Sequence, residues 1–162
     1  MNTLTLIAVI SSLTIVLAIE TPSFTVVGDY KGFQVRDYDA AVAVETCGRS
    51  RYAFMYLAAY IGVSRTPANS RQEKIDMTAP VVNYMNQDNE MCMQFILPQS
   101  VYGDDVTSAP APTNEAVEVV PRPEMTMAVV TFHGWASIYT MMKQLEKYVV
   151  VCKVSNALNY TF

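Results

Sequence analysis

The chain has 162 residues, of which 51% are hydrophobic, and its formal net charge is −4. This length predicts one domain with a real core. No block of Lys or Arg is present, which argues against nucleic acid as a partner because a phosphate backbone is held by clustered cations. The sequence also contains no Walker loop and no Gly-x-Gly-x-x-Gly fingerprint.

The N-terminal stretch, residues 3–19, has no charged side chain and is rich in Leu, Ile and Val. A secretory signal peptide and a membrane anchor are the two interpretations. The run is short for a span, which needs about 20 residues, and Val16-Leu17-Ala18 supplies the small-residue pattern of a cleavage site. We therefore expect a signal peptide over residues 1–18, a mature domain over residues 19–162, no membrane span after cleavage, and a secreted or secretory-pathway protein.

Export makes the cysteines informative, because disulfides persist in oxidising compartments. Cys47, Cys92 and Cys152 allow one disulfide and one free thiol, and the sequence does not say which two would pair. Three apolar core cysteines are an alternative. A structural metal site is disfavoured, since there is no Cys-x-x-Cys and the chain has one His.

The first half of the mature chain predicts an antiparallel meander followed by a helix. Strands are expected at residues 24–27, 33–38 and 41–46, with Val42 and Val44 on one face. Ser50 offers an N-cap for a helix over residues 51–61. The apolar stripe of this helix, at helical spacing, comprises Phe54, Leu57, Ala58 and Ile61. A second stripe, which would cover a core edge or line a ligand groove, comprises Tyr52, Tyr56 and Tyr60.

The second half predicts more strands and a second helix. Residues 62–74 form a loop, strands follow at 81–85 and 91–97, and the turn at 86–89 joins them into a hairpin. The proline-rich stretch 102–114 is expected to be a surface excursion. The remaining expected elements are a pair of strands at 117–120 and 127–132, joined around Pro121-Arg122-Pro123-Glu124, and an amphipathic helix at 136–148.

Five stretches resemble, in order, the motifs of the SOUL haem-binding family. The most specific is Lys74-Ile75-Asp76-Met77-Thr78-Ala79-Pro80-Val81, which matches the pattern Lys-Ile-x-Met-Thr-x-Pro-Val. The others are Phe33-Gln34-Val35-Arg36-Asp37-Tyr38, Tyr60-Ile61-Gly62, Met93-Gln94-Phe95-Ile96-Leu97-Pro98 and Thr131-Phe132-His133-Gly134-Trp135-Ala136. The resemblance runs from about Phe24 to Lys147. The family continues with further strands after its second helix, so we expect a C-terminally shortened member.

The resemblance, together with the predicted elements, implies an α+β fold in which a twisted antiparallel sheet curls towards a distorted barrel with two packed helices. It also implies non-covalent binding of haem or another tetrapyrrole in an open hydrophobic groove along the first helix. Arg51 matches a basic residue near the propionates. The positions that match the apolar groove are Phe54, Leu57, Ala58 and Ile61.

Catalysis has little support in the residues themselves, because Cys47 and His133 are the only conceivable nucleophile and base and no orienting partner is evident. His133 is a possible axial ligand of haem iron, and a solvated turn is the alternative. We therefore expect a binding protein that acts as a carrier, buffer or scavenger of haem. The alternatives are a small-molecule hydrolase on the same scaffold and a non-binding variant that interacts with a partner.

Overall fold

The computed structural model describes residues 19–48, 51–63, 66–131, 139–140 and 143. These residues divide into two compact units. The described residues of the four-stranded unit fall within 19–22 and 41–122, and those of the three-stranded unit fall within 23–40 and from 123 onward. The strands are β1 (Phe24–Tyr30), β2 (Phe33–Tyr38), β3 (Ala41–Cys47), β4 (Val81–Met85), β5 (Met91–Ile96), β6 (Glu118–Arg122) and β7 (Met125–Val129). The helices are α1 (Ala53–Ile61) and the four-residue α2 (Gln99–Tyr102), and a 3-10 turn spans Val106–Ser108.

The three-stranded unit is an antiparallel sheet in the order β1-β2-β7. The expected meander of β1 and β2 is confirmed, although β1 continues to Tyr30 and bulges between Val26 and Gly28. Only Val35 is buried among the hydrophobic side chains of this sheet. The sheet is therefore stabilised mainly by its backbone ladder and by contacts between neighbouring side chains on its faces.

The four-stranded unit is an antiparallel sheet in the order β4-β5-β3-β6. The expected hairpin of β4 and β5 is confirmed, with Asn86 and Glu90 closing the turn through an N–H···O bond of 2.9 Å. The expected strand pair near Pro121 is wrong. β6 pairs with β3 and β7 pairs with β2, so the two strands belong to different sheets. β6 extends through Pro121 because β6 is an edge strand, where a missing donor is tolerated.

Helix α1 packs on the four-stranded sheet and forms the main described core. It begins at Ala53, two residues later than expected, and ends at Ile61. Gly62 follows in the left-handed conformation and donates its N–H to the last carbonyls of the helix, as a C-cap glycine does. The expected N-cap at Ser50, which lies outside the described residues, is wrong, because Tyr52 occupies the N-cap position and makes no side-chain capping bond. The hydrophobic core cluster consists of Val42, Val44, Leu57, Ala58, Tyr60, Ile61, Ile75, Phe95, Leu97, Tyr102, Ala109 and Val117.

The stretch at 102–114 lies at the surface over much of its length, as its composition predicted, but three of its residues are anchored in the core. Tyr102, Ala109 and Pro110 are buried. The backbone also pairs with the loop after α1, through an isolated bridge between Asn69 and Pro112. The carbonyl of Pro110 accepts from the Tyr60 hydroxyl at 2.7 Å, so a backbone acceptor of this stretch joins it to the C-terminal half of α1.

The α+β class with antiparallel sheets and two helices is confirmed, and within the described residues neither sheet closes into a barrel. Most of the second predicted helix, 136–148, lies outside the described residues. Within that range the structure describes Tyr139, Thr140 and Lys143, and these three are helical. The predicted signal peptide also lies outside them. No helix in the described part of the chain has the length and apolar character of a membrane span.

Candidate functional site

The first turns of α1 carry an exposed surface of mixed aromatic, thioether and basic character. Tyr52, Phe54 and Met55 are 47%, 44% and 43% exposed, and Arg51 immediately precedes them and is exposed as well. We call this set, Arg51, Tyr52, Phe54 and Met55, the α1 surface. Arg51 directly precedes Tyr52, the N-cap residue of α1, and Phe54 and Met55 belong to the first turn of the helix. The surface therefore places one cation next to an apolar patch.

The guanidinium of Arg51 lies 4.8 Å from the centre of the Tyr52 ring. This cation–π contact is worth about 0.5–1 kcal/mol at an exposed site. Arg51 forms no ion pair with any of the described residues. The charge is held near the helix entry with its donors open to an incoming carboxylate, which a guanidinium can bind in bidentate fashion.

The Phe54 ring is the apolar anchor of the α1 surface. It meets the ring of Phe95 on β5 edge to face, with centroids 5.2 Å apart. Such pairs contribute about 0.5–1.5 kcal/mol beyond the area they bury. Phe54 is therefore oriented by the sheet below it while almost half of its side chain remains open to solvent.

Three of the residues predicted to line a groove lie inside the protein instead. Leu57, Ala58 and Ile61 are 0%, 2% and 1% exposed, and they pack in the core cluster. The sequence pattern places them correctly on one stripe, but their side chains face the protein's own core. Of the predicted set, Arg51 and Phe54 are the residues that a ligand can reach without displacing core side chains.

The tyrosine stripe is divided in the same way. Tyr52 and Tyr56 are neighbours, with centroids 6.4 Å apart. Tyr60 has no exposed surface, and its hydroxyl donates to the carbonyl of Pro110 at 2.7 Å. Burial is the main cause that raises the pKa of Tyr60 far above its ordinary value. Tyr60 is thus a neutral core residue and not part of a ligand wall.

A buried amide fastens the end of α1 to the loop that follows. The Asn69 side chain donates to the carbonyls of Tyr60 and Glu73 at 2.9 and 2.8 Å, and its Oδ1 accepts from the N–H groups of Arg71 and Glu73. All of these hydrogen bonds join the Asn69 side-chain amide to backbone groups. This clamp holds the C-terminal half of α1 in the core and leaves the N-terminal half as the open end.

A disulfide joins Cys47 on β3 to Cys92 on β5, so the open question of pairing is answered for these two cysteines. Their Cα atoms are 4.1 Å apart, at directly opposite positions of the ladder. Gly48 N–H donates to Met91 O in the adjacent pair, so the cysteines occupy a non-hydrogen-bonded pair, where side chains approach most closely. Because both sulfurs are bonded to each other, neither is a thiolate ligand in this state.

A chain of polar side chains crosses the same face of the four-stranded sheet, and no motif signalled it. Oε2 of Glu45 accepts from the Tyr84 hydroxyl at 2.5 Å and from Gln94 at 2.6 Å, and Gln94 in turn accepts from Arg122 at 2.8 Å. Burial, followed by the hydrogen bond to Glu45, raises the pKa of Tyr84 to about 12. The signal available in the sequence was the alternation of Glu45 and Gln94 with apolar neighbours on their strands.

The three-stranded unit has a depression of its own, of about 370 Å³. Arg36 contributes to its wall, with its Nε and Nη2 bound to Gln34 Oε1 at 3.1 and 2.8 Å. Tyr30 and Phe33, also in the wall, stack with centroids 4.8 Å apart. The volume falls at the lower end of the range for small-ligand sites. His133, the predicted candidate for iron ligation, lies outside the described residues.

The described residues define a small α+β protein. Its α1 surface exposes the apolar side chains of Phe54 and Met55 together with the guanidinium of Arg51, an arrangement typical of ligand binding. The chain matches the family model described as "SOUL heme-binding protein" over residues 19–155. The chain belongs to this SOUL family, as its motifs indicated, and the match extends beyond Lys147, where the motif resemblance ended.

A similar protein is "Heme-binding protein 2" of Mus musculus. It is 28% identical over 141 residues, an alignment that covers 79% of this chain and 67% of the mouse protein. The family and this relative point to binding rather than to catalysis.

Proposed function

We propose that the protein binds haem or another tetrapyrrole non-covalently at the α1 surface and acts as a carrier, buffer or scavenger. Membership of the SOUL heme-binding protein family over residues 19–155 is the observation that carries the proposal. The mouse relative, named for heme binding, supports the same ligand class. The location on α1 is inferred from the geometry of the exposed residues.

The α1 surface fits a flat apolar ring with carboxylate substituents. Phe54 and Met55 offer an aromatic face and an adaptable thioether for the ring. Arg51 offers a guanidinium for a propionate, and this cation lies over the Tyr52 ring just before the helix that carries Phe54. The macrocycle would lie across Phe54 with one edge in water.

Burial of the ring is expected to dominate the affinity. Removing about 300 Å² of apolar area from water contributes about 7–8 kcal/mol at about 25 cal/mol per Å², which corresponds to a dissociation constant in the micromolar range. The core positions Leu57, Ala58 and Ile61 are buried and need not touch the ligand.

Iron coordination is proposed to be secondary to burial. His133 is the residue whose chemistry suits an axial ligand. Under this proposal His133→Ala changes the absorption spectrum of the bound iron porphyrin and leaves the affinity for the iron-free ring unchanged.

We propose in addition that the protein is exported after cleavage near Ala18. The disulfide between Cys47 and Cys92 supports this, because such bonds persist in the secretory pathway and outside the cell. N-terminal sequencing of the protein recovered from the medium of expressing eukaryotic cells tests it. Recovery of the unprocessed chain in the cytosol alone would contradict export.

The direct test of binding is a titration of the mature chain with hemin, followed by absorption spectroscopy. We expect the Soret band to shift and to saturate near one equivalent. Persistence of the free-hemin spectrum in the presence of tens of micromolar protein, a concentration set by the expected affinity, would overturn the proposal.

The location is tested by an Arg51→Ala/Phe54→Ala double variant, for which we expect affinity to fall by about tenfold or more, since an aromatic anchor and a charge-assisted contact are both lost. The chain offers a matched control. Arg36 lies 4.3 Å from the ring centre of the exposed Phe24 in the three-stranded unit. An Arg36→Ala/Phe24→Ala variant removes the same residue types and should leave hemin affinity unchanged. An equal loss of hemin affinity in both variants would show that the binding site does not lie on α1.

A further inference from the structure

Three methionines lie together on one face of the β4–β5 hairpin. Met85 and Met91 are directly opposite each other. The hydrogen bond from Asn86 N–H to Glu90 O belongs to the neighbouring pair, so Met85 and Met91 form a non-hydrogen-bonded pair, whose side chains are closest. Met93 is the diagonal neighbour of Met85, a spacing that long side chains bridge. We call Met85, Met91 and Met93 the methionine cluster.

The cluster is open to solvent at one end and fixed at the other. Met85 and Met91 are 55% and 49% exposed. Met93 is half-buried and packs against the core cluster. Two exposed thioethers side by side are costly as apolar surface, yet their flexible side chains can converge on a point above Met93.

The charged side chains of the β4–β5 hairpin itself are all acidic. Between Ile75 and Pro121 the sequence contains no Lys, Arg or His. The hairpin turn next to the cluster contributes Asp88 and Glu90, both exposed. Such a field raises the local concentration of cations.

The geometry points to a binding site for a soft monovalent metal ion, Cu(I) or its analogue Ag(I), formed by the three thioether sulfurs of the methionine cluster. Thioethers are soft, uncharged ligands that select Cu(I) over hard divalent cations. They need no deprotonation, so binding should vary little with pH, unlike binding to thiolates or imidazoles. The inference does not depend on haem binding.

The chain contains a second Met-x-Met pair that provides the comparison. Met125 and Met127 lie two residues apart on β7, and Met127 is also exposed. The residues opposite them are Tyr38 and Arg36 instead of a third methionine. With only two sulfurs and a guanidinium as neighbour, this pair should not hold a cation.

The test is an Ag(I) titration of the full mature chain carrying Cys152→Ser, with the methionine methyl groups labelled with carbon-13 and without reductant, so that the disulfide stays intact. We expect the methyl signals of the methionine cluster to shift and saturate near one equivalent, while those of Met125 and Met127 stay in place. Calorimetry should show affinity reduced by roughly tenfold or more in Met85→Leu/Met91→Leu/Met93→Leu. It should be unchanged in Met125→Leu/Met127→Leu.

Each possible result decides the inference. Equal shifts at both Met-x-Met pairs, or no shift at the methionine cluster, would overturn it, and this measurement uses the protein with all its methionines. Ag(I) affinity that survives the triple substitution would overturn it as well. Met-to-Leu changes conserve volume and usually cost under about 1.5 kcal/mol, and the circular dichroism of each variant checks its fold.

Discussion

The two units differ in how their strands are buried. In the four-stranded unit, Ala41 to Val44 of β3 are all buried, so this strand is covered on both faces. In the three-stranded unit, every residue of β1 is exposed except the half-buried Gly28. The first unit carries nearly all of the buried hydrophobic side chains of the described chain. Among the described residues, the free energy gained by burying apolar side chains is therefore concentrated in the four-stranded unit.

Side-chain contacts follow the same division. The four-stranded unit combines a core cluster, the buried Asn69 clamp and the disulfide. The side-chain contacts of the three-stranded sheet are made near the surface. They include the Phe24–Tyr38 pair at 5.4 Å, the Tyr30–Phe33 stack at 4.8 Å and the contact of Arg36 with Phe24. Surface contacts of this kind contribute tenths of a kcal/mol to about 1 kcal/mol each. Substitutions in the four-stranded unit should therefore change the stability of the protein more than substitutions in the three-stranded unit.

Removing the disulfide should produce the largest effect. Cys47 and Cys92 are separated by 45 residues, and closing a loop of this length restricts the unfolded chain by about 4 kcal/mol at 25 °C. We expect Cys47→Ala/Cys92→Ala to lose roughly that much stability in urea denaturation. Dithiothreitol should lower the midpoint of the parent protein and leave that of the variant unchanged. A parent midpoint that does not respond to the reductant would show that the bond contributes little.

The strands and first helix follow from local sequence patterns. The two-residue strand period and runs of branched and aromatic residues predict β2 to β5, and the polar turn at 86–89 predicts the hairpin of β4 and β5. The C-cap Gly62 marks the end of α1 because its φ of 79° suits glycine, and a Cβ there would lie 2.5 Å from Cγ of Pro67. These features are local, so a single sequence contains them.

Features that depend on distant partners were not predictable. The pattern of α1 indicates which residues share a stripe, but not that the helix is buried at its C-terminal end and open at its N-terminal end. That difference is caused by Pro110 and Asn69, which contact Tyr60 from outside the helix. The assignment of β6 and β7 to different sheets likewise depends on their partners, β3 and β2.

A smaller effect is expected at Tyr102, whose hydroxyl donates to Glu73 Oε1 at 3.0 Å inside the four-stranded unit. Hydrogen bonds to charged groups contribute about 1.5–3 kcal/mol, so Tyr102→Phe should be less stable than the parent by about 1–2 kcal/mol at neutral pH. Glu73→Gln is the companion variant, because it keeps an acceptor and removes the charge. A parent-like stability for Tyr102→Phe would contradict a stabilising role of the hydrogen bond from Tyr102 to Glu73.

The difference in stability between the parent protein and Tyr102→Phe should depend on pH. Burial, followed by the bond to Glu73, raises the pKa of Tyr102 to about 12, whereas an unfolded tyrosine titrates near 10. The folded state then holds the proton more tightly, so the stabilisation is complete below about pH 10 and is lost as pH rises towards 12. Urea midpoints of the parent and Tyr102→Phe should converge over that interval. Parallel pH profiles would show that this proton is not linked to folding.

The smallest effect is expected in the three-stranded unit, where the guanidinium of Arg36 lies over the Phe24 ring at 4.3 Å. Arg36→Met keeps an apolar stem and removes the charge, and Phe24→Leu removes the ring. A double-mutant cycle isolates the pairwise term, which we expect to be about 0.5–1 kcal/mol. Because global unfolding reports mainly on the better-buried unit, hydrogen exchange of the β1 and β2 amides is the suitable measurement.

The size of that coupling would sharpen the contrast between the two units. A value near the expected one means that β1 is held by the sum of several weak surface contacts, so that single substitutions there have small and local effects. A value above about 2 kcal/mol would instead require a desolvated contact, which the 41% exposure of Phe24 does not provide. In that case the three-stranded sheet would not be the more weakly stabilised of the two sheets.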